Sequence, residues 1–251
     1  AAANGHIERL RQLIDEKADL DAKDDGGGTA LIWAAHNGNT ECVQLLVDAK
    51  ANLDIQDHWG NTALILAARE GYTACAQLLV AANADLEAKD RDGRTALLLT
   101  ARRSHFECVQ LLVDAKADID AKDDEYDTAL MLAACNSDTA CAQLLINAKA
   151  DLDTKNTYNR TALMLAVNHA NPVCAQLLIG AKVDLEAINN EGRTAFMLAA
   201  FFRFTDCLRL LVDAKANLDA KDRDGRTAMV RAAQYGDVSC VQLLIDAKAD
   251  L

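Results

Sequence analysis

The dipeptide Thr-Ala recurs at Thr29, Thr62, Thr95, Thr128, Thr161, Thr194 and Thr227, always 33 residues apart, without one insertion or deletion. A cysteine follows thirteen residues after each, at Cys42, Cys75, Cys108, Cys141, Cys174, Cys207 and Cys240. A period of this length describes a chain of like supersecondary units, none of which can bury its apolar face alone. Stacking neighbours must supply the core. Ahead of the first Thr, Gly5 to Asp24 matches the back half of a further unit.

Each unit reads as two short helices and a turn. In the second full unit Thr62 suits an N-cap, and Ala63 to Ala68 carries Leu64, Leu66, Ala67 and Ala68. Gly71 suits a helix end, because glycine enters the left-handed region cheaply. A second helix is predicted over roughly Thr73 to Ala82, with Cys75, Leu78 and Leu79 at core spacing, before the polar turn Asp90-Arg91-Asp92-Gly93. A single proline and 4% aromatic content fit short helices in close contact, with paired alanines such as Ala67-Ala68 letting them approach.

This pattern resembles the ankyrin repeat over essentially the whole chain. The resemblance implies an all-α solenoid of stacked helix pairs with β-turn or hairpin-like fingers. Its repeats would form one array over 1–251: a partial leading repeat at 1–24, full repeats at 25–57, 58–90, 91–123, 124–156, 157–189 and 190–222, and a terminal repeat at 223–251. The family's Thr-Pro-Leu-His-x-Ala core reads Thr-Ala-Leu-Met-Leu-Ala-Ala at Thr128 to Ala134. The glycine usual after the second helix is replaced by Lys50, Asn83, Lys116, Lys149, Lys182, Lys215 and Lys248. A left-handed lysine costs on the order of 1 kcal/mol, which leaves the turn geometry open. Neither end shows the polar outer face of a capping repeat, so an excerpt from a longer array is expected. A designed consensus protein is the alternative; eight cysteines and Tyr126 at a glycine position argue against it.

A formal net charge of −12 repels phosphate backbones, so neither nucleic acid nor an anionic membrane is an expected partner. Equivalent residues in stacked helices lie about 8–10 Å apart, beyond the roughly 4.4–6.8 Å between Cα atoms that a disulfide needs. The phased cysteines therefore read as reduced, buried hydrophobes of the cytoplasm or another reducing intracellular compartment. Cys135 is off-phase and expected to be partly exposed. There is no Cys-x-x-Cys, and His6, His36, His58, His105 and His169 have no common partner, so no metal is expected. The echo of a calcium loop around Asp90 fails, since its first and last ligand positions are Ala88 and Leu99. Paired carboxylates such as Asp118 and Asp120 recur as framework. No catalytic constellation or cofactor site emerges, and the chain reads as no enzyme.

The repeats form their own alignment, which separates framework from free positions. The seventh and eighth residues after each Thr change completely: His36-Asn37, Arg69-Glu70, Arg102-Arg103, Cys135-Asn136, Asn168-His169, Phe201-Phe202 and Gln234-Tyr235. Fingertips vary as well, with Trp59 and Tyr158 the aromatic cases. The resemblance implies that both strips line the concave groove in which such arrays hold partners. Phe201, Phe202 and Tyr235 are expected to form an aromatic patch for an apolar or aromatic anchor, with burial of Phe201 and Phe204 as the alternative. Arg102 and Arg103, with Arg69, Arg91 and Arg94 nearby, are expected to grip an acidic segment, the alternative being pairing with Glu70, Asp90 and Asp92. His36, Asn136 and His169 complete the candidate strip. Trp33 is expected in the core and Arg231 at an exposed end. The expected function is a monomeric, non-enzymatic scaffold for a protein or peptide partner. A structural spacer, a targeting segment of a larger protein and an engineered binder are the alternatives.

Overall fold

The computed structural model describes residues 1–249; Asp250 and Leu251, the end of the expected terminal repeat, lie outside the described residues. After a 3-10 turn at Ala2–Asn4, fifteen α-helices follow among the described residues. The second helices of successive repeats are α1 (Ile7–Asp15), α3 (Thr40–Asp48), α5 (Thr73–Ala81), α7 (Phe106–Asp114), α9 (Thr139–Asn147), α11 (Pro172–Gly180), α13 (Thr205–Asp213) and α15 (Val238–Asp246). The first helices are α2 (Ala30–His36), α4 (Ala63–Glu70), α6 (Ala96–Arg103), α8 (Ala129–Cys135), α10 (Ala162–Asn168), α12 (Ala195–Phe202) and α14 (Ala228–Gln234).

The local causes repeat with the sequence. Each phased Thr is an N-cap in extended backbone whose hydroxyl accepts the amide three residues on, at 3.2 to 3.4 Å. Such a cap contributes about 1 kcal/mol. The next residue but one turns inward: Leu31, Leu64, Leu97, Leu130, Leu163 and Phe196 are almost wholly buried. Paired alanines (Ala34-Ala35, Ala67-Ala68, Ala133-Ala134, Ala199-Ala200) are buried beside them and keep the helix axes close.

The helices gather into two compact units, residues 1–124 and 125–251. In the first, α2, α4 and α6 pack in sequence, as do α1, α3, α5 and α7. In the second, α8, α10, α12 and α14 form one row, and α9, α11, α13 and α15 the other. The phased cysteines are buried in this packing. The Cys75 and Cys108 thiols meet the Thr40 and Thr73 hydroxyls at 3.4 and 3.3 Å. Burial pushes the Cys174 and Cys207 thiols up to about 11, and Cys240 up to about 12. The Asp138 carboxylate adds to the effect of burial at Cys174, and Asp206 does so at Cys207. Cys135 is half-buried at the end of α8.

The question left open at the lysines is answered by the backbone. Lys50, Lys116, Lys149, Lys182, Lys215 and Lys248 all have φ between 63° and 72°, and Asn83 and Lys17 share the conformation at 63° and 58°. The following amide closes the helix end, as Ala51 N does on Leu46 O at 3.0 Å, with Ala51 itself buried. Seven lysines thus sit where glycine is the unstrained residue. Replacing Lys116 or Lys149 by Gly is expected to stabilise the chain by about 0.5–1 kcal/mol each, read as a rise in denaturation midpoint. Asn at the same positions, which keeps a side chain but tolerates the conformation, should give a smaller gain.

The fingers are turns closed by side chains, with no β-strand among the described residues. In six fingers the first carboxylate or amide accepts the amides two and four residues on, as Asp57 does from Trp59 and Asn61, both at 2.8 Å. Asp24, Asp90, Asn156, Asn189 and Asp222 repeat the arrangement. The paired carboxylates are framework too: Asp118 accepts the Asp120 amide, while Asp54 and Glu87 accept amides of the next repeat at Asp85 and Asp118.

Two expectations are corrected. Trp33 is not core: it is 38% exposed, because Gly28 leaves room beside the finger and Asp24 accepts its indole N–H at 2.7 Å. Arg231 is not at an exposed end: it is 5% exposed, drawn inward by the Asp222 carboxylate at 2.6 Å. Both stand four residues after the capping Thr, where the other repeats have a buried leucine. Each donates to the finger carboxylate of its own repeat.

Candidate binding surfaces

In the first unit, the ends of α2 and α4 and the fingers beside them enclose a groove of about 500 Å³. Ile32 and Leu66 lie along it, Trp33, His36, Trp59 and Arg69 line it, and Asp57, Asp90, Arg91, Asp92 and Arg94 form the finger side. Trp59 is 59% exposed at its fingertip, and His36 meets Trp33 edge-on with ring centroids 5.8 Å apart. The glycines at 26 and 28 make this space. A Cβ on Gly28 would meet Trp33 Nε1 at 2.6 Å, and one on Gly26 would touch the Trp59 ring at 3.6 Å.

The arginines of this unit are partly engaged within the chain. Arg69 Nε donates to Glu70 Oε1 at 2.8 Å, and Arg94 pairs with Asp90 and Asp92 at 2.8 and 2.5 Å. Burial pushes the Glu70 carboxyl up, but the Arg69 hydrogen bond and the charges of Arg69, Arg103 and His36 outweigh it and hold the group below its usual range. Arg102 and Arg103 are exposed at the end of α6, where Ser104 takes the left-handed conformation at φ 59°.

In the second unit, α12 ends on Phe201 and Phe202, with Arg203 in the left-handed position at φ 63° that glycine holds elsewhere. Phe201 meets Phe202 and Tyr235 edge-on at 5.0 and 5.4 Å, and Phe202 stacks on Phe204 at 5.8 Å. Phe201 and Phe204 are half-buried, whereas Phe202 and Tyr235 are 43% and 41% exposed. The Arg193 guanidinium lies over the Phe201 ring at 4.6 Å, and that of Arg231 at 5.9 Å. Beneath them Asp222 Oδ2 takes two hydrogen bonds from Arg231, at 3.1 and 2.6 Å. Arg193 Nε is buried without a hydrogen-bond partner, 3.9 Å from the same carboxylate. The side chain of Arg203 donates to the Tyr235 carbonyl. Phe201 thus has two guanidinium groups over its ring, and two further rings face solvent.

The structure brings Phe201, Phe202 and Tyr235 together, and in the first unit it gathers His36, Trp59 and Arg69 around one groove. Tyr158 stands exposed at a fingertip with Arg160 over its ring at 5.2 Å, while Asn136 and His169 are exposed at helix ends. Arg193, Asp222 and Gly28 did not emerge from the sequence as site residues. The signal was the residue before each capping Thr, which runs Gly28, Asn61, Arg94, Asp127, Arg160, Arg193 and Arg226. Among the described residues no group of metal-ligating side chains is assembled, and no helix is long and apolar enough to cross a membrane.

A family model described as ankyrin repeats in three copies matches residues 1–90, 49–123, 77–156, 97–187 and 163–251. These matches together span the chain. The chain is similar to the crystal structure of the ankyrin repeat domain of Bcl-3, a unique member of the IkappaB protein family, with a TM-score of 0.79. Identity is 27%, over 88% of this chain and 100% of that one. No curated protein matches the chain.

Proposed function

Because the chain belongs to the ankyrin-repeat family, whose members are generally protein–protein interaction modules and generally not enzymes, we propose that it is a non-enzymatic scaffold for a protein or peptide partner. Recognition falls to side chains at the ends of first helices and at fingertips, presented by a framework that is already ordered. The observation that carries this reading is the aromatic cluster of the second unit. On a chain with 4% aromatic residues, Phe201, Phe202, Phe204 and Tyr235 share one surface, and two of them are exposed. Exposed rings over a packed base suit an apolar or aromatic anchor of the partner. Arg102 and Arg103 suit an acidic stretch.

Retention of partners from a cell lysate on the immobilised chain tests this reading, beside a variant carrying Phe202→Ser and Tyr235→Ser. Both residues are exposed, so circular dichroism should show both proteins folded. The variant is expected to lose its partners, since a truncated aromatic hot spot costs about 2 kcal/mol or more, roughly thirtyfold in affinity. Equal retention by the two proteins would remove the aromatic cluster from the account.

A further inference from the structure

We propose that the groove over Gly26 and Gly28 seats a partner segment that presents an apolar side chain with a carboxylate beside it. The proposal rests on reading the chain as a protein-interaction module, and it assigns a second contact, with its own chemistry, to the first unit.

The groove is peculiar to its repeat. Five other repeats place Asn or Arg before the capping Thr; there Asn61 and Arg94 fold back onto the carboxylate of their own finger, while Arg193 reaches toward Asp222 of the next finger. Gly28 has no side chain, so the Trp33 indole turns to Oδ2 of the finger carboxylate Asp24, whose Oδ1 holds the finger amides, and becomes a wall. Trp59, Ile32 and Leu66 line the same groove. Two indoles and two aliphatic side chains accept an apolar group from a partner.

Hydrogen-bonding capacity decides the polar part. The carboxylates along the groove are already committed. Asp57 accepts from the Trp59 and Asn61 amides and the Asn61 side chain; Asp90 accepts from the Asp92 and Arg94 amides and the Arg94 side chain; Asp92 pairs with Arg94. The donors are not. Arg69 uses only Nε on Glu70, and Arg91 makes no ion pair among the described residues. What the groove lacks is therefore an acceptor, and guanidinium groups take carboxylates in pairs of parallel hydrogen bonds. A cationic side chain would also be drawn to the indole faces, but it would meet three arginines on entering.

Trp33 and Trp59 are the two tryptophans of the chain, so intrinsic emission reports occupancy without a label. Random dodecapeptides would be selected on the full chain, and tryptophan-free winners titrated against it while the emission is read. The expected winners pair Asp or Glu with a neighbouring Leu, Ile, Met or Phe and shift the emission saturably. Changing their acid to its amide should weaken binding about tenfold. Gly28→Arg should abolish the shift. Arg69→Gln with Arg91→Gln, which keeps both indole walls and the two aliphatic side chains, should weaken the acidic peptide to the level of its amide. Winners that are basic, or whose affinity survives both variants, would overturn the proposal. Winners that leave the emission unchanged but fail on the Phe202→Ser, Tyr235→Ser chain would overturn it while sparing the interaction-module reading. A selection without winners would count against both.

Discussion

Asp222→Ala is expected to destabilise residues 125–251 by about 3 kcal/mol, because it leaves the buried Arg231 guanidinium with only the exposed Asp224 carboxylate, 3.2 Å away, as counter-charge. The carboxylate does two jobs. Its Oδ1 closes the finger on the Asp224 and Arg226 amides at 3.0 and 2.9 Å, and its Oδ2 holds Arg231. Arg231 lies over Phe201, so the same loss should loosen the aromatic cluster. Removing both charges with Asp222→Asn and Arg231→Met should recover most of the stability, since the cost lies in the unpaired ion. Urea denaturation of the three chains measures it, and a loss below about 1 kcal/mol in the single variant would mean that water already reaches the pair. The pair also gives stability a pH dependence. Burial pushes the Asp222 carboxyl up, but the Arg231 hydrogen bond, the Arg226 and Asp224 amides and the Arg231 charge hold it below its usual range. The unfolded chain, with an ordinary carboxyl near about 4, then takes up the proton first. The contribution is whole above that value and is lost as the pH falls through the lower folded one.

Phe196→Ala is expected to cost about 3–5 kcal/mol, and Phe196→Leu less than about 1.5 kcal/mol. Phe196 is wholly buried in α12, at the position that Leu31, Leu64, Leu97, Leu130 and Leu163 fill in earlier repeats. Leucine is therefore a side chain this stack already accommodates, whereas alanine leaves a void between α10 and α14, both of which pack on α12. Thermal unfolding of the two variants separates the cases. Equal losses would show that the ring makes a contact leucine cannot replace.

Much of this fold was legible because the sequence repeats itself. Seven equivalent threonines and seven equivalent cysteines expose the cap and the core position without any outside comparison, and the structure puts each where its type requires. The lysines after the second helices were ambiguous for a physical reason: a left-handed lysine is only mildly costly, and the helix-closing bond of the next amide offsets that cost. Trp33 and Arg231 misled because their place is apolar in five other repeats. What decided them lay elsewhere in the chain, in the carboxylates of Asp24 and Asp222 nine residues earlier. The variable pairs were readable as a set, and Phe201, Phe202 and Tyr235 as neighbours one repeat apart. The cations that frame Phe201 were not, since Arg193 and Arg231 look like unrelated departures until the fold sets both over one ring.

The central claim is that the ends of the first helices and the fingers, rather than the second helices, are the working surface. Hydrogen exchange on the chain with and without a captured partner tests it most directly. The account predicts slowed exchange around residues 201–204 and 233–237 of the second unit, with α11, α13 and α15 unchanged. Slowed exchange confined to those second helices, with none at the first-helix ends or fingers, would contradict it.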